Sequence, residues 1–453
     1  MKKIVSLIAL FAVACSFPAV AQKATGFSDL KLYIDPGHSG TGNQGYGSYS
    51  EAEKVLQVAY ALKEYMTTYT DMPAANIMFS RLTDGNSEIP FQTKADQCYA
   101  MGAHLYYSIH SDATAELTTT MGSTLFLYGG RRLSSGATPI EKLPEGGKRF
   151  GEILNGDLTS VMRIIRSNGT VRPDNSRGNI NDLVFYSWDV SPTKLDPYLA
   201  VNRTTAGRTP SLLSEAGFHT NPAQNMQFVN VEHKRMQGYA AYQSLVRYLS
   251  EKELGTRIEP VQVGIVTGFV FDKATNRYLN GAIITVTEEG KTPKVYTTDT
   301  YASLPKKYNF KSDEFGNGFY WIEGFTPGVT VNIKVEAAGY QTQETTLTIP
   351  ASVGATTIQG LGVKDFQMSV PTEIPEVSVE NEINVHAANN YIQVASTNAI
   401  EAIVVYSIAG ALVKSAQPVQ ASYEILIGDW AKGVYIVRVT TGTSQKNVKV
   451  IVK

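Results

Sequence analysis

Two rhythms of hydrophobic residues divide the chain. From residue 30 to about 253, short apolar runs alternate with longer amphipathic ones. The short runs, at residues 30–34, 77–80, 105–109, 124–127 and 211–214, predict buried strands. The longer ones, at 51–67, 91–101, 148–161 and 232–249, predict helices; in the first, Val55, Val58, Ala59, Leu62, Tyr65 and Met66 fall on one face. Strands alternating with helices predict an α/β domain over residues 22–255, with a mostly parallel sheet flanked by helices. Residues 131–208 interrupt the rhythm with Gly, Pro, Asn and Ser. They predict a helix plus a long inserted loop, a place for substrate contacts.

After Gly255 helical spacing disappears. Short β-type runs at 266–271, 281–288, 295–298, 318–323, 329–337 and 344–349, split by Gly, Pro and Asn, predict an all-β sandwich over 261–370. Residues 371–384, with two prolines and alternating acidic and apolar positions, predict an extended linker. A second small β-domain follows at 385–453. The chain is therefore multidomain: one α/β domain and two small all-β sandwich domains.

A length of 453 residues agrees with several cores rather than one. The formal net charge of −1 supplies no field that would gather nucleic acid or an anionic membrane. At the N-terminus, Lys2 and Lys3 precede an apolar stretch at 4–14 and the small-residue site Ala19-Val20-Ala21. This is the pattern of a signal peptide over 1–21, with Gln22 the first mature residue. A lipidated Cys15 is the rival reading, which Ala12-Val13-Ala14 fits poorly. No other segment is apolar for long enough to predict a transmembrane span. The mature chain keeps one cysteine, Cys98, so no internal disulfide can form. Its apolar-periodic neighbours Met101 and Leu105 predict a buried, inert thiol.

The chemistry gathers at strand ends. His38, His110 and Glu215 each lie at or just past the end of a predicted strand, where ligand groups collect in α/β sheets. Glu53 opens the helix that starts near residue 51. His38, Glu53 and His110 form a three-ligand set of the kind a catalytic zinc ion uses, leaving a position for water. Glu215 would carry the water proton to the leaving nitrogen. Glu51 is a rival ligand, since both acids also suit a helix N-terminus. Asp35 and Asp112 are candidates for orienting the imidazoles, or else local turn and cap residues. His219, four residues after Glu215, is a candidate substrate contact or a plain loop residue. Gly37, Gly40, Gly42, Gly45 and Gly47 allow close backbone approach around His38.

Ile34-Asp35-Pro36-Gly37-His38, Glu53-Lys54, Ser108-Ile109-His110 and Leu213-Ser214-Glu215-Ala216-Gly217-Phe218 resemble, in order, the motifs of the zinc-dependent N-acetylmuramoyl-L-alanine amidases over about residues 30–250. The resemblance implies one zinc ion on His38, Glu53 and His110, Glu215 as catalytic base, and peptidoglycan as substrate. The bond cut would join the lactyl group of N-acetylmuramic acid to L-alanine. Ser80-Arg81 with Asp84 resembles a further family segment and makes Arg81 a candidate substrate-binding residue. Lys54 after Glu53 favours Glu53 over Glu51 as the ligand. Ser111-Asp112 departs from the family's asparagine-type residue, and the insertion exceeds that of minimal members.

Gly268-Phe269-Val270-Phe271-Asp272, Leu279-Asn280-Gly281-Ala282 and Gly339-Tyr340 resemble carboxypeptidase regulatory-like, or transthyretin-like, domains. Val404-Val405-Tyr406-Ser407-Ile408-Ala409-Gly410, Gly433-Val434-Tyr435-Ile436-Val437 and the Lys-rich final strand resemble a type IX secretion sorting domain. That resemblance implies the type IX machinery as partner, and passage through the periplasm to the outer-membrane surface or medium. Two alternatives to the amidase stay open: a non-catalytic peptidoglycan-binding or adhesive surface protein, and a zinc peptidase on another acyl-peptide.

Overall fold

The structure is a computed structural model. It describes residues 23–452 except 41, 86, 119–121, 166–170, 173–175, 352–357, 359, 371–382, 389 and 443. The predicted signal peptide and nearly all of the predicted linker lie outside the described residues.

The first domain is built on strands β1 (Leu32–Pro36), β2 (Ile77–Phe79), β3 (Leu105–Asp112) and β4 (Thr124–Tyr128). Two small ribbons follow, β5 (Gly130–Arg131) with β6 (Ile140–Glu141) and β7 (Ile164–Ile165) with β8 (Val171–Arg172). β9 (Ser176–Asn181) and β10 (Ser211–Phe218) complete the set. The main sheet runs β2-β1-β3-β10-β4-β9, parallel throughout except between β10 and β4. Its helices are α1 (Glu51–Tyr69), α2 (Phe91–Met101), α3 (Gly147–Met162), α4 (Asp182–Phe185), α5 (Ala200–Thr204), α6 (Pro222–Phe228) and α7 (Val231–Glu253).

Side chains alternate across the sheet, as a pleated backbone requires. Leu32, Ile34, Leu105, Tyr107, Phe126 and Leu212 join the core under α1, α3 and α7. Tyr33, Tyr106, Leu125, Leu127 and Leu213 join the opposite core, with Cys98 of α2 and Val201 of α5. Cys98 is buried and its Sγ meets Thr209 Oγ1 at 3.8 Å; burial pushes the thiol up to about 12. Among the described residues, no helix is long and apolar enough to cross a membrane.

The described residues of the insertion hold more regular structure than the predicted helix and loop. It supplies α3, the edge strand β9, and α4 and α5. β9 has the polar sequence Ser-Arg-Gly-Asn-Ile-Asn, and an edge strand is held by its backbone ladder rather than by an apolar pattern. Buried Asp182 ties the segment together, accepting from Gly130 N (2.8 Å), Leu199 N (3.1 Å) and Asn202 Nδ2 (3.1 Å).

In the middle domain, β11 (Gly264–Asp272), β12 (Ile283–Glu288), β13 (Lys294–Thr297), β14 (Phe319–Phe325), β15 (Thr330–Glu336), β16 (Gln343–Thr348), β17 (Leu361–Val363) and β18 (Phe366–Met368) form two sheets. One runs β14-β11-β17, with β18 also on β11; the other runs β13-β12-β15-β16. Val266, Val270, Tyr320 and Ile322 meet the second sheet in a core of their own. Ile265, Phe269, Phe271, Phe319 and Trp321 point the other way and merge with the core of the first domain. All nine residues of β11 are consequently buried. His233, in a polar sequence context, is likewise buried, its ring packed near Phe228 and Phe319.

The last domain is organised around one long strand, Tyr391–Ser407. Its first half pairs with Ile383–Ala388 and Gln420–Leu426, its second with Gly433–Thr441 and Leu412–Ala416.

Candidate metal centre

β1 ends at Pro36 and the chain turns sharply to present His38. Gly37 permits the turn: a Cβ there would lie 2.1 Å from the His110 ring. His38 itself has φ 55, a left-handed conformation that costs a non-glycine residue energy and marks a constrained position. Arg81 holds this corner. Its guanidinium donates to the carbonyls of Pro36 (3.0 Å), Gly37 (3.1 Å) and Ala52 (2.6 Å), tying the end of β1 to the first turn of α1. The structure thus gives Arg81 a positioning task at this corner.

The carboxylate at the centre is Glu51. It is the first residue of α1 and is 1 % exposed. Its Oε1 accepts from Ser111 N at 2.8 Å and lies 3.0 Å from His110 Nδ1. Its Oε2 accepts from Asn43 Nδ2 at 2.9 Å and lies 3.4 Å from His38 Nε2. The two imidazole rings stand 5.0 Å apart, nearly perpendicular. Donor atoms of His38, Glu51 and His110 all fall within 4.8 Å of one another. Burial would raise the Glu51 carboxyl, but the His110 hydrogen bond and the charges of His110, His38 and His219 outweigh it and hold the group below the usual range.

Glu53, the expected ligand, is elsewhere. Two residues along an α-helix is a rotation of about 200°, so the two acids face nearly opposite directions. Glu53 accepts from Lys307 Nζ (2.8 Å) and Tyr308 OH (2.5 Å) of the middle domain. Lys54 has a structural task as well: its buried Nζ donates to Ala216 O at 2.7 Å and sits over the Phe228 ring, pinning α1 to β10.

Glu215 lies opposite His110 in the β3–β10 register. Its Oε2 is buried without a hydrogen-bond partner among the described residues. Burial raises this carboxyl and Glu51 adds to the rise, against pulls from His110, Lys54 and Arg177. The cavity at the centre, about 170 Å³, is lined by these residues with Asn43, Ser111, Asp112 and His219.

Two further expectations are corrected. Asp35 touches neither imidazole. Strand alternation turns it to the α2 face, where it pairs with Lys94 Nζ at 2.9 Å and accepts from Ser80, Tyr106 and Ser108. Asp112 accepts from Ala113 N at 2.8 Å and pairs with Arg177, so it orients no imidazole either. His219 reaches the centre from behind: its Nδ1 lies 3.0 Å from Ser111 O and 3.7 Å from Glu51 Oε2.

Three residues near the centre were assigned no role from the sequence. Asn43 leaves only a faint signal, as an Asn among glycines with φ 54, the left-handed region that Asn tolerates. Ser111 acts through its backbone. Arg177 comes from the insertion, packs over Phe218 and Phe185, and its charge is felt by Glu215.

Two segments of the chain match known families. Residues 32–247 match the family model described as N-acetylmuramoyl-L-alanine amidase, and residues 387–453 match that of a secretion system C-terminal sorting domain. No curated protein matches the chain. Solved structures similar to it include the N-acetylmuramoyl-L-alanine amidase AmiC2 of Nostoc punctiforme (18% identity, 49% of this chain and 97% of that one, TM-score 0.35). The catalytic domain of the amidase CwlV from Bacillus (Paenibacillus) polymyxa is another (15% identity, 49% and 99%, TM-score 0.36). A third is the amidase from Clostridium difficile 630 (19% identity, 51% and 99%, TM-score 0.36). The chain therefore carries an N-acetylmuramoyl-L-alanine amidase domain, an enzyme domain acting on peptidoglycan, together with a domain that directs secretion.

Proposed function

We propose that this amidase domain hydrolyses the bond between the lactyl group of N-acetylmuramic acid and L-alanine, using one zinc ion held by His38, Glu51 and His110. One observation carries the reading: three separated segments bring two imidazoles and a carboxylate within 4.8 Å of one another, beside a buried carboxylate with a free oxygen. The donor set fits zinc, since two nitrogens and one oxygen leave a fourth tetrahedral position open. Bound zinc would polarise the scissile carbonyl and acidify a water molecule.

The chain's own residues do the rest. Ser111 N and Asn43 Nδ2 fix both oxygens of Glu51, so its orientation is set before the metal arrives. Glu215 Oε2, unpartnered, can take the water proton and return it to the leaving nitrogen. Its raised pKa suits it to hold that proton in between. Lys54, bonded to Ala216 O, keeps Glu215's strand in register with Glu51's helix. The sorting domain, with the export pattern at residues 1–21, supports a route through the periplasm to the cell surface or medium by the type IX machinery.

Digestion of purified peptidoglycan, with products read by mass, tests the reaction. New L-alanine amino termini beside intact N-acetylmuramic acid are expected. Glu215→Gln should lower turnover by about 10²–10⁴-fold while keeping zinc. Glu51→Gln should lose the metal, and Glu53→Gln should keep it at saturating zinc. Uncut lactyl–alanine bonds after incubation with zinc-loaded protein would remove the reading.

A further inference from the structure

We propose that the middle β-domain is a working part of the catalytic unit: its segment 307–314 braces the loop and helix start that present Glu51, so that metal affinity depends on a domain outside the amidase fold. The inference rests on Glu51 being a metal ligand.

The loop in question runs from Asn43 to Ser50. It closes on itself through Glu51 N to Asn43 O (2.9 Å), so any shift of the loop moves both Glu51 and the Asn43 amide that fixes it. Asn43, Gly47 and Ser48 all have positive φ. Backbone in that region is held by its surroundings rather than by its own preference.

The surroundings come from two domains. On one side, Asn225 Nδ2 donates to the carbonyls of Tyr46 (2.7 Å) and Tyr49 (3.2 Å), and Tyr46 N donates to His219 O. On the other side stands the middle domain. Asn309 N donates to Gly47 O at 2.9 Å. The Phe310 ring fills the space over Gly47, where a Cβ would meet it at 2.3 Å, and packs edge-on against Tyr46. Tyr46 OH donates to Glu314 Oε2 at 2.5 Å. Tyr308 packs against Tyr49, and with Lys307 it holds Glu53, two residues past the ligand. Phe310 is only 3 % exposed, so this is core packing rather than a surface touch.

A ligand that samples other positions binds metal with an affinity reduced by the fraction of time it is in place. Loss of the brace lowers that fraction without touching a ligand.

The test is zinc affinity, measured by chelator competition on the full chain, with the melting of the metal-free protein recorded beside it. Phe310→Ala should weaken zinc binding about tenfold or more, the scale of supporting residues at metal sites. Phe310→Leu should recover most of the loss. Lys307→Ala with Tyr308→Phe, which removes only polar contacts, should weaken binding by a smaller factor, and it decides the matter if Phe310→Ala does not fold. Variants that melt earlier yet bind zinc as the wild type does would overturn the brace. A wild-type chain that binds no zinc would instead remove the metal reading beneath it.

Discussion

Two β-domains follow the amidase domain, and they are joined to it in different ways. The middle one shares a hydrophobic core with it: Ile265, Phe269, Phe319 and Trp321 pack among residues of α1, α3 and α7. The core of the last one, among the described residues, is made of its own side chains, such as Ile392, Val405, Val437 and Val439. The difference is written in the strands. β11, Gly-Ile-Val-Thr-Gly-Phe-Val-Phe-Asp, is buried on both faces, whereas Gly433–Thr441 alternates between buried and more exposed positions. A strand buried on both faces lies between two cores, so it needs a neighbouring layer as well as its own sheet.

The contrast is broken most forcefully by truncation. A chain ending at residue 370 should melt as the full chain does in its amidase transition and bind zinc equally. A chain ending at residue 255 should not fold cooperatively, because the α7 face carrying Tyr239 and Tyr242 would lose its cover. Loss of several such contacts is comparable to the whole stability of a domain, about 5–15 kcal/mol. Calorimetry with zinc titration measures both. A stable, zinc-binding chain ending at 255 would reduce the middle domain to an appendage.

Single substitutions sharpen the same contrast. Trp321, 2 % exposed and edge-on to Tyr239 at 5.8 Å, lies in the shared core. Trp321→Ala should cost about 3–5 kcal/mol and lower the melting of the amidase transition. Ile403→Ala, in the core of the last domain, should cost about 2–5 kcal/mol but leave that transition and zinc binding where they are. If both variants moved the amidase transition equally, the two domains would not differ as described.

The same distinction governs what the sequence could disclose. The strand–helix rhythm was readable because apolar side chains facing both layers make unbroken runs, as in β1 and β3. His38, His110 and Glu215 were readable because strand ends in such a sheet converge. Glu51 and Glu53 could not be separated in this way. Both fit a helix start; the apolar face of α1 puts Glu51, four residues before Val55 and seven before Val58, on the buried side, while Glu53, off that face, meets Lys307 and Tyr308, distant in sequence. Asp35 misled for a similar reason: it stands three residues from His38, but alternation turns it through the sheet to Lys94. β9 stayed hidden because an edge strand held by backbone bonds leaves no apolar trace. Arg177, from the same insertion, carries no pattern that ties it to Glu215 before folding.

The smallest effect concerns a polar clasp between the α3 end and the middle domain that engages both carboxylate oxygens of a single acid. Arg163 caps α3 and donates to Asp365 Oδ1 (3.0 Å) and Oδ2 (2.5 Å), with its guanidinium over the Phe269 ring. Asp365 also accepts from Phe269 N at 2.9 Å, so removing the side chain would conflate two losses. Arg163→Met keeps the apolar stem, and Asp365→Asn keeps an acceptor for Phe269 N. A double-mutant cycle on this pair should give a coupling of about 0.5–1 kcal/mol, since Asp365 is partly exposed and solvent screens the charge. A coupling near zero would mean that this clasp adds nothing to the hold of the shared aromatic core and of the 307–314 contacts. A coupling well above this range would mean that the clasp, and not only Trp321 and its neighbours, sets the docking of β11 and β14 on α7.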